Sequence, residues 1–411
     1  MQAGRQQLAV DTWARIVTMQ PDHIAGLNQL GQAAFSQRDF EAARVAFQRV
    51  AIADGKVARQ WVNLALACQR QGDDAAEESA LFKALTVDPY DLLALVLRGQ
   101  LYERQGKSIQ AAASYGAAVA VAPPTAQLMP ELQPAVAMAR AFCEQHQRTL
   151  AAFLDQRLEP MLRDSGPAAL DRFKLSLDIL VGRKQRFDPQ PMRYFVPQLP
   201  VTEFFDRNCF PWLESLEQSW QAIRDEFVAV YRDDQGLVPY ISYAADQPLA
   251  QWTELNHSSR WSVCHLIKEG RAVPENASRC PQTMAALSQV PQPDQPGRTP
   301  VAMFSLLRAR TRIPPHVGAS NARVVVHLPL IVPPGCEFRV GNSRRPWVPG
   351  QAWVFDDTIE HEASNDSDDP RVVLICDTWH PALSVEERHL ITAMNEALNA
   401  FSSDAAADYD V

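Results

Sequence analysis

Two periodicities divide this chain. In the first third, large residues at Phe47, Leu81 and Tyr115 stand 34 apart (81 − 47 = 115 − 81 = 34). The set Trp61, Leu64, Ala65, Gly72, Ala84 and Pro89 returns as Leu95, Arg98, Gly99, Gly106, Ala118 and Pro123, and it is foreshadowed one period earlier by Leu27, Leu30, Gly31, Arg38, Val50 and Gly55. A repeat of this length predicts stacked helical hairpins, each burying its apolar face only against its neighbours. Pro123-Pro124 closes the series. Helical patterns then run over Leu132–Leu162 and Ala168–Val181, with Ser165-Gly166-Pro167 as a break, and over Leu213–Val230, where Leu216, Trp220, Ile223 and Phe227 share a face. Further on the spacing changes. Trp261–Ile267, Val324–Leu328, Ala352–Phe355 and Val372–Ile375 are short β-branched or apolar runs bounded by Pro and Gly, which predicts an antiparallel barrel or jelly roll. The Pro-, Asn- and Gln-rich stretch Glu269–Pro296 reads as a long loop at the barrel mouth.

This divides the 411 residues into a repeat array (1–124), a helical connector (125–188), a β-barrel domain (189–395) and an acidic tail (396–411). Trp13, Ile16 and Pro21 match the second helix of a repeat, so the chain is expected to begin inside one. Net charge is 39 − 48 = −9 and no Lys/Arg run occurs, which argues against a nucleic-acid binder. Met1–Ile16 has no apolar signal region, and no segment reaches the roughly 18 apolar residues a membrane helix needs. The 7 cysteines are scattered and form no C-x-x-C, a pattern that suits reduced thiols and a cytoplasmic location. Cys264 and Cys376, inside apolar runs, are expected to fill core.

Chemistry concentrates in the β-rich half, where six of the 9 histidines lie between His257 and His380. His316 follows Pro314-Pro315, and His361 follows the Asp356-Asp357 turn. Two neutral imidazoles on different strands either share a metal at the barrel mouth or hydrogen-bond loop backbone. A carboxylate two residues after the first histidine would complete a common iron site, but Gly318 stands there. Arg371 begins a strand after the acidic loop at Asp366, Asp368 and Asp369, and taken singly it reads as a surface ion pair. Ser305, His327 and Trp261 taken singly read as a strand hydroxyl, a core histidine and a core tryptophan.

Taken together, P-P-H-V-G-A-S-N-A-R-V-V-V-H, the block F-D-D-T-I-E-H-E with its histidine ten residues before Arg371, and D-T-W-H-P resemble the aspartyl/asparaginyl β-hydroxylase family over roughly Met192–Leu390. The resemblance implies a double-stranded β-helix that uses Fe(II), 2-oxoglutarate and O2, and in that family glycine does stand where Gly318 is. By the same resemblance, His316 and His361 bind iron, and Arg371 grips the 5-carboxylate of 2-oxoglutarate with Ser305. His327 lies near the 1-carboxylate, Trp261 lines the cosubstrate pocket, and Arg323 faces the substrate. Val325 departs from the pattern, since some members carry a basic residue there; the 1-carboxylate then rests on His327 and the metal, or borrows Arg339. Trp252–Ser259 lacks a second arginine for an Asp-type substrate. The N-terminal period resembles the tetratricopeptide repeat, whose concave groove holds a peptide or partner protein. The expected activity is hydroxylation of an Asp/Asn-type side chain in a peptide or protein recruited partly by the array. The alternatives are a hydroxylase of a lipid-linked acyl chain or small molecule, and a repeat scaffold with a non-catalytic barrel.

Overall fold

Residues 2–163, 167–232 and 236–404 are described in the structure, a computed structural model. The chain forms two compact units, Met1–Arg183 and Lys184–Val411. The expected break at Ser165-Gly166 and residues 405–411 of the expected acidic tail lie outside the described residues.

Among the described residues the first unit contains helices and no strand. Helices Ile24–Ser36 and Phe40–Ala53, Ala58–Gln71 and Asp74–Val87, and Leu92–Arg104 and Ser108–Val121 pack as successive hairpins, preceded by Gln2–Met19. Each hairpin closes by setting a small residue of its first helix against a large one of its second. A Cβ on Gly31 would lie 2.5 Å from the Phe47 ring, and one on Gly99 would lie 2.4 Å from Tyr115. Side chains of Asp39, Asp73 and Asp91 cap three of these helices by accepting from the backbone N–H three residues on. The long helix Gln133–Arg163 continues the stack, with Ala139 packed against Ala111 and Tyr115, and Pro167–Leu180 follows it. Because Tyr115 leaves no room for a methyl group, Gly99→Ala is expected to destabilise the array by about 1–3 kcal/mol. Urea denaturation followed by circular dichroism measures this, and an unchanged midpoint would contradict the close-packed hairpin.

The second unit is built on strands β1 (Val238–Pro239), β2 (Trp261–Lys268), β3 (Arg271–Ala272), β4 (Ala302–Leu307), β5 (Thr311–His316), β6 (Arg323–Ile331), β7 (Cys336–Val340), β8 (Ser343–Arg344), β9 (Trp353–Phe355), β10 (His361–Asn365) and β11 (Arg371–Trp379). They make two antiparallel sheets, β1-β2-β4-β11-β6-β9 with β3 on the β2 edge, and β5-β10-β7-β8. Among the described residues no ladder joins them, so the expected barrel is two packed sheets of jelly-roll type rather than a closed ring.

Alternation sorts the chemistry. In β4, β6 and β11, Phe304, Leu306, Val324, Val326, Leu328, Val372, Leu374 and Cys376 turn to one face, where Leu216, Ile223 and Phe227 cover them. The opposite face carries Ser305, Arg323, Val325, His327, Arg371 and Asp377 towards the second sheet. The covering helix is broken at Ser219 into Leu213–Gln218 and Trp220–Arg232, where a single helix was expected. Glu269–Pro296 is also not all loop. Pro274 and Pro281 each open a short helix, Pro274–Ala277 and Pro281–Leu287, because proline's fixed φ suits the first helical turn and its missing N–H costs nothing there. Cys264 and Cys376 are core residues as expected, and all seven cysteines are free. Among the described residues no helix is long and apolar enough to cross a membrane.

Candidate functional site

The inward faces of the two sheets enclose a cavity of about 610 Å³ lined by every site residue singled out from the sequence, from Trp261 to Arg371. At one side, the last residue of β5 and the first of β10 are direct cross-strand partners, His316 and His361, with ring centroids 4.1 Å apart. Each ring is fixed in the same way. His316 Nδ1 lies 2.8 Å from the Pro314 carbonyl oxygen, and His361 Nδ1 lies 3.0 Å from that of Ile359. A carbonyl only accepts, so both Nδ1 atoms carry the proton and both Nε2 atoms keep a free lone pair. Burial lowers the pKa of both imidazoles, and His316 lowers that of His361 further, which keeps the pair in the neutral, ligating form. The two readings open from the sequence are thus compatible: each ring hydrogen-bonds backbone through Nδ1, and each Nε2 keeps a lone pair beside the other ring.

Gly318 has a physical reason. A Cβ there would lie 2.0 Å from Asp357 Oδ2, so any side chain at position 318 would have to displace the Asp357 carboxylate from its ion pair with Arg323. The turn that brings Asp357 there is tied by Asp356, whose Oδ1 accepts from Thr358 N–H (2.9 Å) and Oγ1–H (2.6 Å). Among the described residues no group of three or more His, Cys, Asp or Glu is arranged to hold a metal, so the two imidazoles stand as a pair.

On the same cavity wall Arg371, the first residue of β11, is 2% exposed. Its Nε and Nη1 have no hydrogen-bond partner, and its guanidinium lies over the Trp347 ring at 4.7 Å. Burial pulls its pKa down to about 10, which leaves it charged at neutral pH. A buried cation without a counter-ion costs several kcal/mol in order of magnitude, so this geometry calls for an anion. The surface ion-pair alternative does not describe it, since Asp368 pairs with Arg310 instead. Beside Arg371, Ser305 Oγ accepts from Trp261 Nε1 (3.2 Å), which leaves its own O–H free to donate. His327 Nδ1 accepts from Trp347 Nε1 (3.3 Å), so its proton is on Nε2. Burial, and then Arg371, holds the His327 pKa well below the usual imidazole value.

Arg323 lines the cavity as well, and its charge is already matched. Its Nη2 donates to Asp357 Oδ2 (3.0 Å), and its Nη1 is 3.3 Å from Asp377 Oδ1. Burial pushes the Asp377 carboxyl up to about 6, with Arg323 pulling it down. Arg339 does not fill the slot left by Val325, because it is committed to Glu362 (2.6 Å), Glu360 (2.9 Å) and the Gly341 carbonyl (2.8 Å). Sequence reasoning missed Trp347, which joins Arg371 to His327, and Trp252, which meets His316 edge-on at 5.3 Å. No local pattern marks either. Asp357 and Asp377 sit inside the motifs F-D-D-T and D-T-W-H-P, and that was the available signal.

Fold and site together define a helical-repeat protein carrying an antiparallel β-sandwich, whose cavity pairs two open imidazoles with a buried, unmatched arginine. Residues 217–381 match the family model described as Aspartyl/Asparaginyl beta-hydroxylase, and the second unit is similar to this family over that stretch. Aspartate beta-hydroxylase domain-containing protein 2 of Homo sapiens is 32% identical over 215 residues, covering 49% of this chain and 54% of its own length. Aspartyl/asparaginyl beta-hydroxylase of Homo sapiens is 31% identical over 183 residues, covering 44% of this chain and 23% of its own. The chain thus spans about half or less of the length of these relatives. Among solved structures, the Arabidopsis OM64 TPR domain aligns at a TM-score of 0.26 with 20% identity, over 30% of this chain and 95% of that one. A crystal structure of MamA aligns at 0.30 with 16% identity, over 37% and 94%.

Proposed function

We propose that this protein is an Fe(II)- and 2-oxoglutarate-dependent dioxygenase that hydroxylates an Asp/Asn-type side chain of a peptide or protein recruited partly by the repeat array. One observation carries the reading: a fully buried arginine without a counter-ion shares a cavity with two imidazoles whose Nε2 lone pairs are both open. The donor set fits Fe(II), which His316 and His361 would hold through their Nε2 atoms. Bound iron supplies the redox chemistry that lets O2 attack an unactivated C–H.

The chain's own residues do the positioning. Arg371 meets the 5-carboxylate with its planar fork, and Ser305 O–H donates to the same carboxylate. His327 Nε2–H donates towards the 1-carboxylate. Trp261 holds Ser305 in place, and Trp347 holds both Arg371 and His327. The apolar walls at Ile313, Phe338 and Phe355 exclude water around them. Overall, substrate C–H, O2 and 2-oxoglutarate become C–OH, succinate and CO2.

The test is anaerobic binding of Fe(II) and 2-oxoglutarate, followed on admission of air by succinate release with a peptide pool; no succinate with iron bound would end the proposal. The apolar lining at Ile241, Val325 and Ile375 favours hydroxylation of an acyl chain or small molecule as the second reading. A chain of residues 184–411 keeps the whole cavity and separates the two. Succinate formation is expected to persist, while hydroxylation of a protein substrate at limiting concentration falls by about tenfold or more, because the array contributes effective concentration. Equal product from both chains would instead favour the acyl-chain or small-molecule substrate.

A further inference from the structure

The chain enters the second unit along the outside of the imidazole pair. Gln185, Phe187, Gln190 and Met192 all line the cavity, and the stretch that holds them reads F-D-P-Q-P-M. Of the backbone nitrogens at positions 189–191, only that of Gln190 carries a proton, and the following Pro191 favours extended backbone at Gln190. That N–H donates to the Thr358 carbonyl oxygen at 2.7 Å. Two residues on, Met192 N–H donates to the Gly318 carbonyl oxygen at 3.0 Å, and Gly318 N–H donates in turn to that of Asp357 at 2.6 Å.

These three bonds close a ring through residues 190–192, Gly318 and residues 357–358, so three segments distant in sequence hold one another. Both imidazoles hang from the ring. His316 stands two residues before Gly318, at the end of β5. Thr358 precedes Ile359, whose carbonyl oxygen holds the His361 ring through Nδ1. The strap is anchored on both sides of Gln190. Asn342 Nδ2 donates to the Gln185 carbonyl oxygen at 2.6 Å, the Arg339 guanidinium lies 5.3 Å from the Phe187 ring, and Tyr194 pairs with Ser320 in a parallel bridge. Without the strap, the ring is reduced to the bond between Gly318 and Asp357. Two ligands converge on one ion only if their supports keep them within a fraction of an ångström, so a ring free to hinge holds a metal less tightly.

We propose that Gln190 is a positioning residue acting through its backbone N–H, and that the strap 185–194 sets the convergence of His316 and His361 on one metal. The inference rests on the metal-binding reading above and adds to it a segment from outside the two sheets.

Two substitutions in the full-length protein test it. Gln190→Pro removes the N–H, and Gln190→Ala, which keeps it, is the matched control for the lost side chain. Calorimetry under anaerobic conditions follows the binding of Fe(II) and of Co(II), and NMR follows hydrogen exchange of the His316 and His361 Nδ1–H protons in the metal-free protein. Gln190→Pro is expected to bind either metal about tenfold or more weakly, the scale of losing a group that orients a ligand. It is also expected to exchange the His361 proton several-fold faster, while the metal-free melting temperature stays close to that of the unaltered chain. Gln190→Ala is expected to restore both values. Phe187→Ala loosens the strap at its other anchor and should move both readings in the same direction, which decides the matter if Gln190→Pro does not fold. Unchanged affinity and exchange in the folded Gln190→Pro protein, or in Phe187→Ala where that variant decides, overturn the proposal, and so does an equal loss in Gln190→Ala. If the unaltered protein binds neither metal, the hydroxylase reading falls, and the exchange rates still decide whether the strap holds the pair.

Discussion

His316→Ala and His361→Ala are each expected to abolish 2-oxoglutarate turnover and iron retention while leaving the protein folded. The site offers two imidazoles and no third protein ligand among the described residues, so losing either removes half of the protein's grip on the metal. Losing a group that merely orients a ligand commonly costs 10–100-fold, so losing a ligand outright should cost at least about a hundredfold. The fold should tolerate the change, because among the described residues each ring makes one hydrogen bond, to a carbonyl two residues back in its own segment. Iron content after anaerobic dialysis, succinate release and a thermal melt are measured on the same preparations. Normal iron and full turnover in either variant would reduce the pair to the backbone-bonding histidines that the sequence equally allowed.

The second large effect is at Arg371. Arg371→Lys replaces a planar fork by a point charge, and the lost charge-assisted contact of about 1.5–3 kcal/mol should weaken 2-oxoglutarate binding roughly 10- to 150-fold. Arg371→Met separates ligand binding from stability. In the ligand-free protein the guanidinium is a buried charge with no anion, so removing it is expected to raise the melting temperature even as 2-oxoglutarate ceases to stabilise the fold. Calorimetry with 2-oxoglutarate and melts with and without it check both signs. Unchanged affinity in Arg371→Lys, together with a lower melting temperature in Arg371→Met, would make Arg371 a structural residue.

Much of this was legible in the residues. The 34-residue spacing of Phe47, Leu81 and Tyr115 names the large partners of the hairpins, because a helix buries residues at fixed intervals and a stack repeats them. The runs Val324–Leu328 and Val372–Ile375 were legible as strands, and in the structure alternation along β4, β6 and β11 puts Ser305, His327 and Arg371 on one face. The breaks were less visible. Nothing near Ser219 marks the interruption between Leu213–Gln218 and Trp220–Arg232, and the polar composition of Glu269–Pro296 hid two proline-opened helices.

Only the tertiary structure decided which of these faces meet. His316 and His361 are 45 residues apart (361 − 316), and their ring contact depends on the β5–β10 register, which local pattern does not encode. The same holds for Trp347 over Arg371, and for Asp357 and Asp377 closing on Arg323 from two other strands or turns. The sequence by itself determined the helical repeat, the β-rich runs and that a carboxylate is missing at Gly318. Whether an inward arginine is matched or left without an anion depends on distances between distant segments, and those exist only once the two sheets have packed.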